Sequence, residues 1–174
     1  MFRATFRVAI DVMPSTKFKP PTPAGHTTIP YTRHHAADPN EEDIIDEALN
    51  LFRANCLFRN FEIKGHADRV LIYLILFISE CLGKLSKSPT PGEAVKQLST
   101  LAVSNFAIPG DATFPLNAMY SPPRDRSQQD QLRQYIQQLR NEMAIRLVDR
   151  VYVDGKPSKW WMCFQKRKFM GLSL

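Results

Sequence analysis

Catalysis needs reactive side chains that converge, and in this chain the histidines, cysteines and carboxylates are dispersed. His26, His34 and His35 fall in a proline-rich stretch, where the adjacent pair His34-His35 points apart in extended chain. Exposed positions explain these histidines more simply than a metal site. His66 stands alone at the start of an apolar segment. Cys56, Cys81 and Cys163 are odd in number and lack CxxC spacing, and each is flanked by apolar residues. Buried free thiols in a reducing compartment are expected, since zinc would need a fourth ligand at suitable spacing. Glu41, Glu42, Asp43, Asp46 and Glu47 could be mistaken for an acid–base or metal cluster. They occupy the first turns of an expected helix, where the dipole and solvent account for them. The sequence contains no GxxxxGK[ST], GxGxxG or HExxH, and its 7 glycines leave little for a phosphate-cradling loop. No serine or cysteine has the context of an activated nucleophile. The expectation is a protein that is not an enzyme and holds neither cofactor nor metal.

What the elements position is therefore a surface. The length, 174 residues, suits one domain. Six of the 13 prolines precede position 40, so residues 1–37 read as an extended proline-rich arm and 38–174 as a single all-helical domain. Asp38 and Pro39 form a helix start, after which Ile44, Ala48, Leu51 and Phe52 recur at helical spacing as far as Phe58. Val70 to Ile78 is apolar on every side and could be a buried strand, but Ala67–Leu85 runs on without a turn signal, which favours a helix. Such a helix belongs at the centre of the domain, with Leu71, Leu74, Ile75 and Ile78 in the core. Ser88–Gly92 breaks the chain before a helix over Glu93–Val103. Asn105–Pro123 is irregular, and so long an apolar loop, with Phe114 and Tyr120 in it, is expected to lie on another surface. A helix follows over Ser127–Asp149, with Leu132, Ile136, Leu139, Met143 and Leu147 on one side and polar residues on the other. Asp154-Gly155 turns the chain, and Pro157-Ser158 opens a last helix through Met170. The fold class is all-α: a compact bundle of about five to six helices around one central hydrophobic helix. The nine apolar residues from Val70 fall well short of the roughly 18 a membrane span needs.

Charge is segregated. The chain carries a net +6, yet Asp38–Glu47 holds six acids and no cation, while Lys156–Leu174 holds five cations and no acid. Separation of this kind suits docking between neighbours. Both tryptophans, Trp160 and Trp161, sit in the basic segment, and on a helix adjacent side chains diverge by about 100°. One can join Phe164 in the core while the other meets a partner, or both can be core. The candidate interface comprises Lys159, Trp160, Trp161, Lys166 and Arg167, with Phe114 and Tyr120 from the loop. A basic helical nucleic-acid-binding module is the alternative, because basic and aromatic residues interleave here. It lacks a stacking platform or a recognition helix in a known frame.

From position 43 the sequence resembles the actin-related protein 2/3 complex subunit 3 family. The resemblance is carried by Asp43-Ile-Ile-Asp-Glu-Ala48, Phe52-Arg-Ala-Asn55, Asn60-Phe-Glu-Ile-Lys64, Ile78-Ser-Glu-Cys-Leu82, Phe114-Pro-Leu-Asn-Ala118, Gln137-Gln-Leu-Arg140 and Lys156-Pro-Ser-Lys-Trp-Trp161. It implies a non-catalytic, all-helical structural subunit of a seven-subunit complex that nucleates branched actin filaments. It further implies packing mainly against the actin-related protein 3 subunit, with the actin filament also a partner. A cytoplasmic location on the actin cytoskeleton is implied too, with neither nucleic acid nor membrane insertion. The first twelve residues look unlike the family's usual start.

Overall fold

The computed structural model describes residues 42–56, 63, 66–85, 90–165, 168–169 and 172–173. Among the described residues are five helices: α1 (Ile44–Asn55), α2 (His66–Leu85), α3 (Pro91–Val103), α4 (Arg126–Val151) and α5 (Lys159–Met162). Two short antiparallel pairs accompany them, β1 (Tyr152–Val153) with β2 (Lys156–Pro157) and β3 (Lys168–Phe169) with β4 (Leu172–Ser173). The class is all-α. The expected arm, the boundary at 37/38 and the Asp38-Pro39 helix start lie outside the described residues, as do Lys166, Arg167 and the side chain of His66.

Polar caps set the helix starts. Asp43 occupies the N-cap of α1 and accepts the amides of Ile45 and Asp46, each at 3.0 Å. α3 begins two residues earlier than expected, because Thr90 caps the amide of Glu93 at 3.3 Å and Pro91 fits the first turn, where its missing N–H is harmless. α4 is capped by Asp125, which accepts the Gln128 amide at 2.7 Å.

Helix α2 packs on α1, α3 and α4 and carries the largest share of the core. Leu71, Leu74, Ile75 and Ile78 are buried, together with Ile72, Phe77, Cys81 and Leu82. One stripe escapes: Tyr73 and Leu76 are half-buried and Glu80 is exposed. Among the described residues the sheath around α2 is thus thinner along one side. Of the thiols, Cys56 and Cys81 are buried as expected, whereas Cys163 is only partly so, and none is in a disulfide. Burial, helped by the nearby Glu80 carboxylate, pushes the Cys81 thiol far above its usual range, so it packs as a neutral group.

The last expected helix is a correction. It opens at Ser158, its N-cap, as expected, but stops at Met162 instead of running through Met170, and Pro157 just before it pairs with Tyr152 in β2. Ser158 makes no side-chain cap, and tryptophan and phenylalanine are middling helix formers, so core contacts and a few backbone hydrogen bonds hold this turn. After it the chain returns to extended pairing, with Phe169 opposite Leu172.

The acids of α1 divide by role. Desolvation raises the Glu47 carboxyl above its ordinary value, and the negative charges of Asp68 and Glu42 add to the shift. A carboxyl raised in the fold is at no disadvantage below its unfolded pKa and costs stability as pH rises through the folded one. Glu47→Gln is therefore expected to melt slightly higher than the parent at pH 7. The difference should vanish below about pH 4. Thermal melts across that range check it; parallel curves at both pH values would contradict the assignment.

Candidate interaction surface

The corner where α4 ends is built by a tight hairpin. Asp154 and Gly155 both take positive φ, at 53° and 74°, which matches the twist of a two-residue β-turn and explains the Asp-Gly pair. The Ser158 amide then donates to the Val151 carbonyl at 2.8 Å and delivers the chain into α5. Side chains directly opposite in an antiparallel pair share a face. Tyr152 is half-buried opposite Pro157, so Val153 and Lys156 face outward, and Val153 is 59% exposed.

The two tryptophans part ways on α5. Trp161 is 8% exposed and stacks on Phe52 of α1, with centroids 5.8 Å apart and planes 8° apart. Phe164 meets the same Phe52 ring edge-on at 6.0 Å, and the Arg53 guanidinium lies 5.7 Å above the Trp161 ring. Trp160 is 72% exposed beside the exposed Lys159.

The irregular loop packs on its own body. Gly110 turns at φ +98°, and a Cβ there would come within 3.1 Å of Pro122, so the chain needs glycine twice over. Its amide donates to Asn117 Oδ1 at 2.9 Å, while Asn117 Nδ2 donates to the Asp111 carbonyl at 2.7 Å. Phe114 is buried edge-on against Tyr120 at 5.3 Å. The Tyr120 hydroxyl donates to the Arg69 carbonyl, and Arg69 Nε returns a bond to the Met119 carbonyl at 2.8 Å. Burial pushes the Tyr120 phenol well up, so it stays a donor. Phe114 and Tyr120 are pins that fasten the loop to α2.

Between loop and helix runs a cleft of about 590 Å³, lined by Tyr73, Leu76, Phe77, Phe106, Leu116 and Arg140 among others. Arg140 is buried at its floor, 4.3 Å from the Phe77 centroid and 4.6 Å from that of Phe106. Its Nε donates to the Ala102 carbonyl at 3.2 Å, Nη2 to the Leu101 carbonyl at 2.8 Å and Nη1 to the Tyr73 hydroxyl at 3.2 Å. The last turn of α3 has no basic residue of its own, and this distant guanidinium satisfies its carbonyls. A second buried arginine, Arg146, binds Asp43 at 2.8 Å, Asp46 at 3.0 Å and Glu142 at 2.9 Å. Solvent and the dipole alone therefore do not explain the α1 acids: two of them clamp α1 to α4. Neither arginine was expected inside, since charge alone put both on the polar face of α4. The detectable signal is apolar company at helical spacing: Ile136 and Met143 stand at i−4 and i+3 of Arg140, and Met143 at i−3 of Arg146.

Comparison with known proteins adds the context. A family model described as "P21-Arc: ARP2/3 complex ARPC3 (21 kDa) subunit" matches residues 7–174. The chain is 54% identical to the actin-related protein 2/3 complex subunit 3 of Schizosaccharomyces pombe, over 80% of this chain and 81% of the relative. It is 46% identical to the same subunit of Dictyostelium discoideum, over 98% and 94%, and 53% identical to that of Saccharomyces cerevisiae, over 78% and 79%. These matches give the nucleic-acid alternative no support.

Proposed function

The chain belongs to the actin-related protein 2/3 complex subunit 3 family, and on that premise we propose that it is a non-catalytic structural subunit of the complex. In this reading it packs chiefly against the actin-related protein 3 subunit, supports nucleation of branched actin filaments, and resides in the cytoplasm on the actin cytoskeleton. The actin filament is a further partner. Residues 38–174 act as one helical block and residues 1–37 as an arm laid along neighbours. Lys159, Trp160, Lys166 and Arg167 contribute to the contact surface.

One observation carries the proposal: identity to the Dictyostelium subunit extends over nearly the whole chain, not over one motif. The architecture agrees with it. Two buried arginines fix α3 and α1 onto α4, and the loop is pinned to α2, which makes the rigid body a scaffold needs. Reconstitution tests the role. Complexes assembled from the other six subunits with this chain should form branches on preformed filaments, and complexes without it should lose branching several-fold. Full branching in its absence would remove the chain from the machinery.

A further inference from the structure

We propose that Trp160 is the anchor by which this subunit docks, its indole entering an apolar socket rimmed by acidic residues on a neighbouring protein. The inference rests on the assignment to the complex and specifies the surface and the chemistry of the contact.

The exposure of Trp160 is built in. The stack of Trp161 on Phe52 fixes the rotation of α5, and the adjacent position on a helix then points about 100° away. The bond from Ser158 to Val151 fixes where α5 begins, so the ring is presented by a braced turn rather than by a loose end. Trp160 is 72% exposed and the outward-facing Val153 of the adjoining hairpin is 59% exposed. Large rings left in water beside a rigid support are characteristic of interface centres, where tryptophan is enriched.

Charge selects the partner. Lys156 and Lys159 are exposed at this corner, and Arg53 lies over the Trp161 ring. Beyond Asp154 the sequence holds no acid to its end while carrying five cations. An indole framed by cations is complemented by an apolar pocket with an acceptor for its N–H and with Asp or Glu around the rim. Nucleic acid could also stack on an exposed ring, and the experiment separates the two.

The test loads complexes lacking their own copy of the subunit with tagged full-length chain, wild type or Trp160→Ala, and measures incorporation and melting. Wild type should incorporate. Trp160→Ala should do so about tenfold more weakly, as for a central interface residue, with its melting temperature unchanged. Lys159→Glu should weaken incorporation too, more at low salt than at high. Equal incorporation of Trp160→Ala and wild type would overturn the anchor while leaving the subunit assignment intact. Failure of wild type to incorporate would instead overturn the assignment on which the anchor rests. A large drop in melting would show Trp160 to be a packing residue and overturn the proposal. Trp160-dependent binding of a single-stranded oligonucleotide without any effect on incorporation would overturn it as well.

Discussion

Leu74→Asp should abolish cooperative folding. Leu74 is fully buried on α2, the helix that meets α1, α3 and α4 at once. Removing a core leucine costs about 2–5 kcal/mol, and setting a carboxylate in its place adds several more unless the group takes up a proton. Whole domains are stable by only about 5–15 kcal/mol, so this one change consumes most of the margin. Circular dichroism during heating would show a flat, non-cooperative trace for the variant and a sigmoidal one for the parent. A melt close to that of the parent would mean α2 does not organise the core.

The second large effect is at Arg146. Its side chain is 8% exposed, and its guanidinium holds Asp43, Asp46 and Glu142 within hydrogen-bond reach. Desolvation opposes its charge, but hydrogen bonds and attraction from Asp43, Glu142 and Asp46 outweigh that, and its pKa is raised. Arg146→Met keeps much of the volume and leaves three carboxylates facing one another. Breaking a buried pair from one side costs about 3–5 kcal/mol, and partial exposure of Asp43 and Glu142 favours the lower end. Denaturant titration should show that loss, and Asp46→Asn added to Arg146→Met should recover part of it. Recovery separates charge from packing, because a cavity would not be mended by an amide on the opposite helix. A loss under about 1 kcal/mol would reduce the cluster to an ordinary surface pair.

These two sites differ in how far the sequence discloses them. Leu74 is legible because nine consecutive apolar residues, from Val70 to Ile78, have one good physical solution: a helix buried on most of its surface. The partly exposed stripe of α2 (Tyr73, Leu76 and Glu80) is not legible, because it depends on where the loop after α3 comes to rest. Arg146 and Arg140 are hidden for a related reason. Apart from Glu142, four residues before Arg146, their partners lie roughly 40 to 100 residues away, as with Arg140 to Leu101 and Arg146 to Asp43, and local charge patterning knows nothing of them. The α5 error has the opposite origin. Pro-Ser followed by an aromatic and basic run looks locally like the start of a long helix, but among the described residues of α5 and the turn after it the core buries Trp161 and Phe164, and the helix ends at Met162. At the candidate surface, the divergence of Trp160 from Trp161 follows from helical geometry. Which ring goes inward is decided by Phe52, over a hundred residues upstream.

The most direct test concerns the company the chain keeps. Tagged chain expressed at its native level and fractionated by size from a gentle extract should elute with two actin-related proteins and four other small subunits, in constant proportion across the peak. Elution as a free monomer, with those partners in other fractions, would contradict the account at its root.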